Sequence, residues 1–339
     1  MKKRVVYLLL FAFLLTACGK ANTNDSQLLN TEEIKQETET QESTEESVTG
    51  SEVTESEETE SQVVENVQTE VPSETPSEEP APVPPEMESW ASGYYVYDPY
   101  NTRGLSNQKY GHAYGTAANG QRPSASLTSQ QYFDSIKNLK ALVVDTKTTE
   151  KVLYLTFSCG YEYNNNTVKI LDILKEKGVK AAFFGELGYF KNNPHFTQRF
   201  IDEGHILGNH TAKHPDFPTL SRDEMASQVY QVEKYLKDTY GYECRYFRYP
   251  GGYYSENSLD LVAGLGHRVV FWSVAYRDWE TNNLQGAQYS FDTVTSRLHP
   301  GAVIVLHAVS NDNVEALGAI IDYARELGYE FKSLDDYPW

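Results

Sequence analysis

From Lys151 onward the chain alternates between two hydrophobic periods. Short apolar runs (VLYLTF, AAFF, HILGN, YFRYP, RVVFWSVA, AVIVLH, YEFKSL) are separated by longer ones (VKILDILKEKG, HFTQRFIDEG, RDEMASQVYQVEKYLKDTYG, NSLDLVAGLG, FDTVTSRL, NVEALGAIIDYARELG). In the longer runs apolar residues recur at three- and four-residue spacing. The short runs predict buried strands and the long ones amphipathic helices, several of them closed by Gly. Strand and helix in alternation predict a parallel sheet, hence an α/β fold, and about seven such units suit a barrel or an open doubly wound sheet.

In either architecture functional side chains gather at the carboxyl ends of the strands. Here those ends carry Ser158 and Cys159, Asn209 and His210, Arg248 with Tyr249 and Pro250, Tyr276 to Asp278, and His307. Polar and ionisable groups recurring at five of these strand ends favour an enzyme or a binding site. Upstream, from Trp90 to about Asp145, Tyr, Asn and Gly abound without a sustained period. Residues 88–150 therefore read as an irregular extension wrapped on a domain spanning 151–339.

The preceding stretch, residues 19–87, is dominated by Glu, Thr, Ser, Val and Pro and holds most of the net charge of −19. It cannot bury enough apolar surface to offset its ordering entropy, so a disordered acidic linker is expected. The acidity belongs to that linker, and no basic footprint for nucleic acid is visible. Residues 1–18 begin with basic residues, continue through an apolar run and end in small residues before Cys18, the layout of a secretory signal. Leu15-Thr16-Ala17-Cys18 also resembles a bacterial lipobox, which implies a lipid on Cys18 and a chain anchored at the outer face of the cell membrane.

The sharpest local motif is His210-Thr-Ala-Lys-His214. Two imidazoles four residues apart on one helical turn can share a metal ion, and Pro215 limits any helix there to a single turn. The chain has three cysteines. Cys159 ends its strand whereas Cys244 precedes YFRYP, so in a parallel sheet they lie about 15 Å apart, beyond the roughly 7 Å a disulfide allows. Cys244 then reads as a small buried residue and Cys159 as a third ligand beside His210 and His214. That set keeps one position open, as in catalytic zinc sites, and a thiolate favours Zn²⁺ over harder divalent metals.

Five short motifs, TFSCG, HTAKH, RYPGG, RDW and VIVLH, resemble in order and spacing those of the polysaccharide deacetylases, the NodB homology domain of carbohydrate esterase family four. The likeness extends from about Lys151 to Asp336 and is greatest to the delta-lactam-biosynthetic type, which acts on N-acetylmuramic acid of peptidoglycan. It rests further on CGYEYNNNTVKILDILKEKGVKAAFF, VFWSVAYRDW and LHAVSNDNVEALGAIIDYARELGYEFKSLDD. The resemblance implies a distorted (β/α)7-type barrel and metal-assisted hydrolysis of an acetamido group on a cell-wall glycan, with no protein partner.

It also implies roles. His210, His214 and the position of Cys159 match the metal site, and His307 matches the acid that protonates the leaving amine. Asp278 matches the carboxylate that orients His307, and Arg248 the arginine that braces the base. Tyr161, Tyr249, Pro250, Gly252, Tyr253 and Trp279 would line the sugar groove. Two positions depart from the family. Ser158 stands where the base carboxylate belongs, and a serine hydroxyl does not deprotonate water unaided; Glu162 is a nearby substitute. Cys159 replaces the metal carboxylate. A glycan-binding relative without turnover and an O-acetyl esterase are the alternative readings. His195, His205, His267 and His299 are expected to be structural, and His112 has no assigned role.

Overall fold

The computed structural model describes residues 98–339 and the backbone of two short strands before them. Residues 1–18, with the expected signal and Cys18, and most of the stretch read as an acidic linker lie outside the described residues. The early strands, β1 (Glu86–Met87) and β2 (Tyr94–Tyr95), pair antiparallel. The extension then supplies β3 (Tyr110–Gly111), helix α1 (Ser124–Ser135) and β4 (Lys140–Leu142).

The regular part follows as β5 (Val152–Cys159), α2 (Asn166–Lys177), β6 (Ala182–Gly185), α3 (Leu187–Asn192), α4 (Pro194–Asp202), β7 (Ile206–Asn209) and α5 (Arg222–Tyr240). After these come β8 (Tyr246–Phe247), β9 (Tyr253–Tyr254), α6 (Glu256–Gly264), β10 (Arg268–Val270), α7 (Ala287–Thr295), β11 (Ala302–His307), α8 (Asn311–Glu326) and β12 (Glu330–Phe331). Local chemistry sets the helix limits. Ser221 and Glu224 form a reciprocal capping box at the start of α5, and Gly241 ends it at φ 65°, a conformation that costs a glycine little.

The main sheet runs β11-β5-β6-β7-β8-β10-β4, with β12 beside the start of β5, and every pairing in it is parallel. It curls until its two edges meet through isolated bridges, Val144 to Ala302 and Val274 to Ile304. This is the distorted barrel expected, with one correction: β4 comes from the extension. Residues 88–150 therefore do more than wrap the domain, since Lys140–Leu142 forms the last strand beside β10.

Strand alternation sorts the core. Val152 and Tyr154 of β5 point inward with Leu142, Phe184, Ile206, Val270 and Val303. Leu153, Leu155, Phe157 and Cys159 point outward into a layer with α2, α4 and α8. Because side chains two apart share a face, Thr156 and Ser158 belong to the interior and Cys159 to the helix layer. This parity decides much of the chemistry below.

Candidate active site

Arg248, just past β8, lies fully buried across the barrel interior. Its Nε donates to Val270 O at 3.1 Å, Nη2 to Thr156 Oγ1 at 2.7 Å and Nη1 to Ser158 Oγ at 3.3 Å, while the guanidinium stacks 4.1 Å from the Phe184 ring. Every acceptor it meets among the described residues is neutral. Burial weighs against the charged form, yet a guanidinium keeps its charge across physiological pH. Ser158 thus leaves a buried cation without an anionic partner.

His307 ends β11, in register with Ser158 on β5. Its Nδ1 meets Asp278 Oδ1 at 2.6 Å, and its backbone N–H donates to Asp278 Oδ2 at 2.8 Å. The same Oδ2 accepts from Asn313 Nδ2 at 2.6 Å. Ring and backbone of His307 are fixed together, so Nδ1 carries a proton and Nε2 is the nitrogen free to serve the mouth. Trp279 sets its ring edge-on, 5.2 Å from the imidazole, and remains 46 % exposed.

His210 and His214 converge, with ring centroids 4.9 Å apart and planes at 78°. They do so without the helical turn that their spacing predicts. Thr211 (φ 70°) and His214 (φ 50°) take left-handed conformations, and Thr211 Oγ1 accepts from the His214 N–H at 2.9 Å, so a bend folds the second imidazole onto the first. His210 Nδ1 donates to Arg248 O, 2.9 Å away, leaving Nε2 a bare lone pair. Burial lowers the proton affinity of both rings, and proximity to each other lowers that of His210 further.

The third expected ligand is not in place. Cys159 faces the helix layer beside the Tyr189 hydroxyl, and burial, followed by nearby Glu162, pushes its thiol well above the ordinary range. Among the described residues no group of three or more His, Cys, Asp or Glu side chains is gathered closely enough to hold a metal ion. The two imidazoles, each with a neutral ring, suit two positions of a divalent cation; Cys159 does not complete the set because strand parity turns it away. Cys159 and Cys244 are both buried free thiols, as the strand geometry predicts.

Other expected positions also move. Glu162 accepts hydrogen bonds from the Thr167 N–H and hydroxyl at the start of α2, so its carboxylate is engaged outside the mouth. Tyr249, Pro250 and Gly252 are buried rather than exposed to a sugar, and the Tyr249 hydroxyl donates to Ser258 O at 2.9 Å. Gly252 (φ 71°) is where His112 and Trp272 approach, within 2.9 Å of where a methyl group would stand. Tyr161, Tyr253 and Trp279 stay exposed around the opening. His112 proves to be a packing residue. It is buried against Phe271 and Trp272, with Nε2 3.2 Å from Trp272 O, and burial pushes its pKa down to about 4. His205, His267 and His299 are buried in structural contacts.

Glu186 had drawn no attention in the sequence. It follows Gly185 at the end of β6, between the ends of β5 and β7, and donates its backbone N–H to Cys159 O at 3.1 Å. Its half-buried carboxyl has no hydrogen bond or ion pair among the described residues, and burial pushes it up to about 7. The strand-end rule applied to AAFFGE would have found it.

Known proteins with this organisation are similar over the same region. The polysaccharide deacetylase family model matches residues 145–270. The peptidoglycan-N-acetylmuramic acid deacetylase PdaA of Bacillus subtilis is 44 % identical over 190 residues, which is 56 % of this chain and 72 % of that protein. The chain belongs to the polysaccharide deacetylase family. The solved structure of Bacillus subtilis PdaA, a family 4 carbohydrate esterase, superposes with a TM-score of 0.64 at 38 % identity, covering 69 % of this chain and 98 % of that one. A family 4 carbohydrate esterase from Bacillus anthracis gives a TM-score of 0.55 at 38 % identity, with 69 % and 97 % covered. In this polysaccharide deacetylase the two histidines of HTAKH and the buried carboxylate behind His307 stand near the end of β5, which carries Ser158 and Cys159.

Proposed function

We propose that this chain is a de-N-acetylase of cell-wall glycan that hydrolyses the acetamido group of peptidoglycan N-acetylmuramic acid. The observation that carries the reading is the His307–Asp278 pair. A 2.6 Å contact on Nδ1 aims Nε2 at the mouth, where a protonated imidazole can deliver a proton to the leaving amine. Asn313 holds the other oxygen of Asp278, so the acid is oriented from two sides. Trp279, Tyr161 and Tyr253 offer exposed ring faces on which a sugar can lie.

His210 and His214 would hold a divalent cation, zinc by their nitrogen chemistry, and its contribution when bound would be to polarise the acetyl carbonyl. At the other end of the chain, a lipid on Cys18 and the acidic linker would tether the domain at the outer membrane face, within reach of the wall.

The test is release of acetate from wall glycans, intact and stripped of stem peptide, with and without chelator. Release that chelator abolishes supports the proposal. The buried Ser158 favours a second reading, a glycan-binding relative without turnover, and binding to wall glycan with no acetate released would establish that reading instead. Incorporation of labelled palmitate that persists in Cys18→Ser would refute the anchor.

A further inference from the structure

A site that splits an amide needs something to take a proton from the attacking water, and Ser158 cannot. Around the mouth most carboxylates are committed. Asp278 accepts from His307 and Asn313, Glu162 caps α2 through Thr167, and Asp216 pairs with Lys109 at 2.8 Å. Glu280 accepts from Arg277 and Asn283. Glu186 alone of this group has neither a donor nor a cation on its carboxyl among the described residues.

Its position is specific. Gly160 lies two residues beyond Ser158, in the bend that follows β5. A methyl group at position 160 would stand 2.8 Å from Glu186 Oε1, so the carboxyl lies over the turn that leaves β5 just after Ser158 and Cys159. Across the mouth the order of strand ends is His307 on β11, Ser158 on β5, Glu186 after β6 and His210 after β7. The acid on β11 and the carboxyl after β6 therefore flank the Ser158 position from opposite sides, about two strand spacings or ~10 Å apart at the backbone. An acetamido group placed over Ser158 would have one on each side.

We propose that Glu186 is the general base of this site, doing from the end of β6 what the serine on β5 cannot. Glu186 takes one proton of a water molecule as the water oxygen bonds to the acetyl carbon. The carbon–nitrogen bond then breaks, and the amine nitrogen takes its proton from His307. Acetate and a free amino sugar leave. A half-buried carboxyl at the strand ends, with no donor or cation on it among the described residues, has the profile of a proton acceptor rather than of a structural anion.

This inference rests on the deacetylase reading, and the experiment separates the two. Acetate release and bound metal are measured for the full chain and for Glu186→Gln, Glu186→Asp, Gly160→Ala and the pair Glu186→Gln with Ser158→Asp. Losing a general base lowers the rate by about 10²- to 10⁴-fold. Glu186→Gln is expected to lose that much of kcat with metal content and melting temperature unchanged. Gly160→Ala, which crowds the carboxyl without removing it, should also be slow, and should add nothing on top of Glu186→Gln. Ser158→Asp should restore turnover to Glu186→Gln by returning a carboxyl to β5. Full activity in Glu186→Gln overturns the proposal, and so does a loss of activity that tracks a loss of metal, which would make Glu186 a ligand. No acetate release from the unaltered chain overturns the deacetylase reading itself.

Discussion

The guanidinium of Arg248, which meets only neutral acceptors among the described residues, makes Ser158→Asp the most revealing single substitution. Ser158 Oγ already sits 3.3 Å from Nη1, so a carboxylate there would reach the same nitrogen with a charge. At ~4 Å and an effective dielectric of ~20 the attraction is about 4 kcal/mol. Desolvating the new carboxylate costs several kcal/mol if it is wholly buried, but Ser158 keeps 7 % exposure at the barrel mouth, which softens that cost. The net gain should be about 1–2 kcal/mol, and at about 2–4 °C per kcal/mol for a domain of this size the melting temperature should rise by about 2–8 °C.

The sign with pH follows from linkage. The Arg248 charge depresses the folded-state pKa of the new carboxyl below its unfolded value of about 3.9. Its stabilisation is therefore present in full above that value and lost as pH falls through the folded pKa. Thermal unfolding of both proteins at pH 7 and near pH 2 tests this. A melting temperature at pH 7 no higher than the parent's, or a gain that survives at pH 2, would refute the description of Arg248 as a buried cation lacking its anion.

Three further outcomes are expected. Asn313→Ala removes a donor from the Asp278 carboxylate; losing a hydrogen bond to a charged group is worth about 1.5–3 kcal/mol, so kcat should fall about 10- to 100-fold with KM nearly unchanged, measured by acetate release. Cys159→Ala should leave metal content unaltered, because the thiol faces the helix layer; metal analysis showing the site emptied would restore Cys159 as a ligand. Glu233→Gln disturbs the buried contact with His267, and leaving a buried polar group unsatisfied costs about 1–3 kcal/mol, read as a drop in denaturant midpoint with no effect on KM.

Much of the fold was legible because apolar period and strand ends carry the same information twice. β5, β6, β7 and β11 fall on their predicted runs, and His307 and Asp278 meet at the carboxyl end as that rule requires. What escaped was local. β4 is only Lys140–Leu142 and sits in a stretch with no period, so nothing in the pattern marked it as a barrel strand. The histidines meet as expected, but a bend through Thr211 and His214 brings them together, because left-handed backbone leaves no trace in residue spacing. Cys159 departs from its expected place through strand parity. A neighbour of an inward residue on a strand points outward, and Ser158 claims the inner face. The motif predicts Tyr249 in the groove, whereas its ring completes the core beneath the loop.

The strand donated by the extension bears on where this protein can be cut. A fragment starting at Lys151, the border that hydrophobic period alone suggests, would strip β4 from β10 and uncover Phe271, against which Phe133 of α1 stacks at 4.8 Å. The exposed row of amide and carbonyl groups on β10 would then be an open template for strands of other copies. Such a shortened enzyme should clump, and its silence in an assay would say nothing about Ser158.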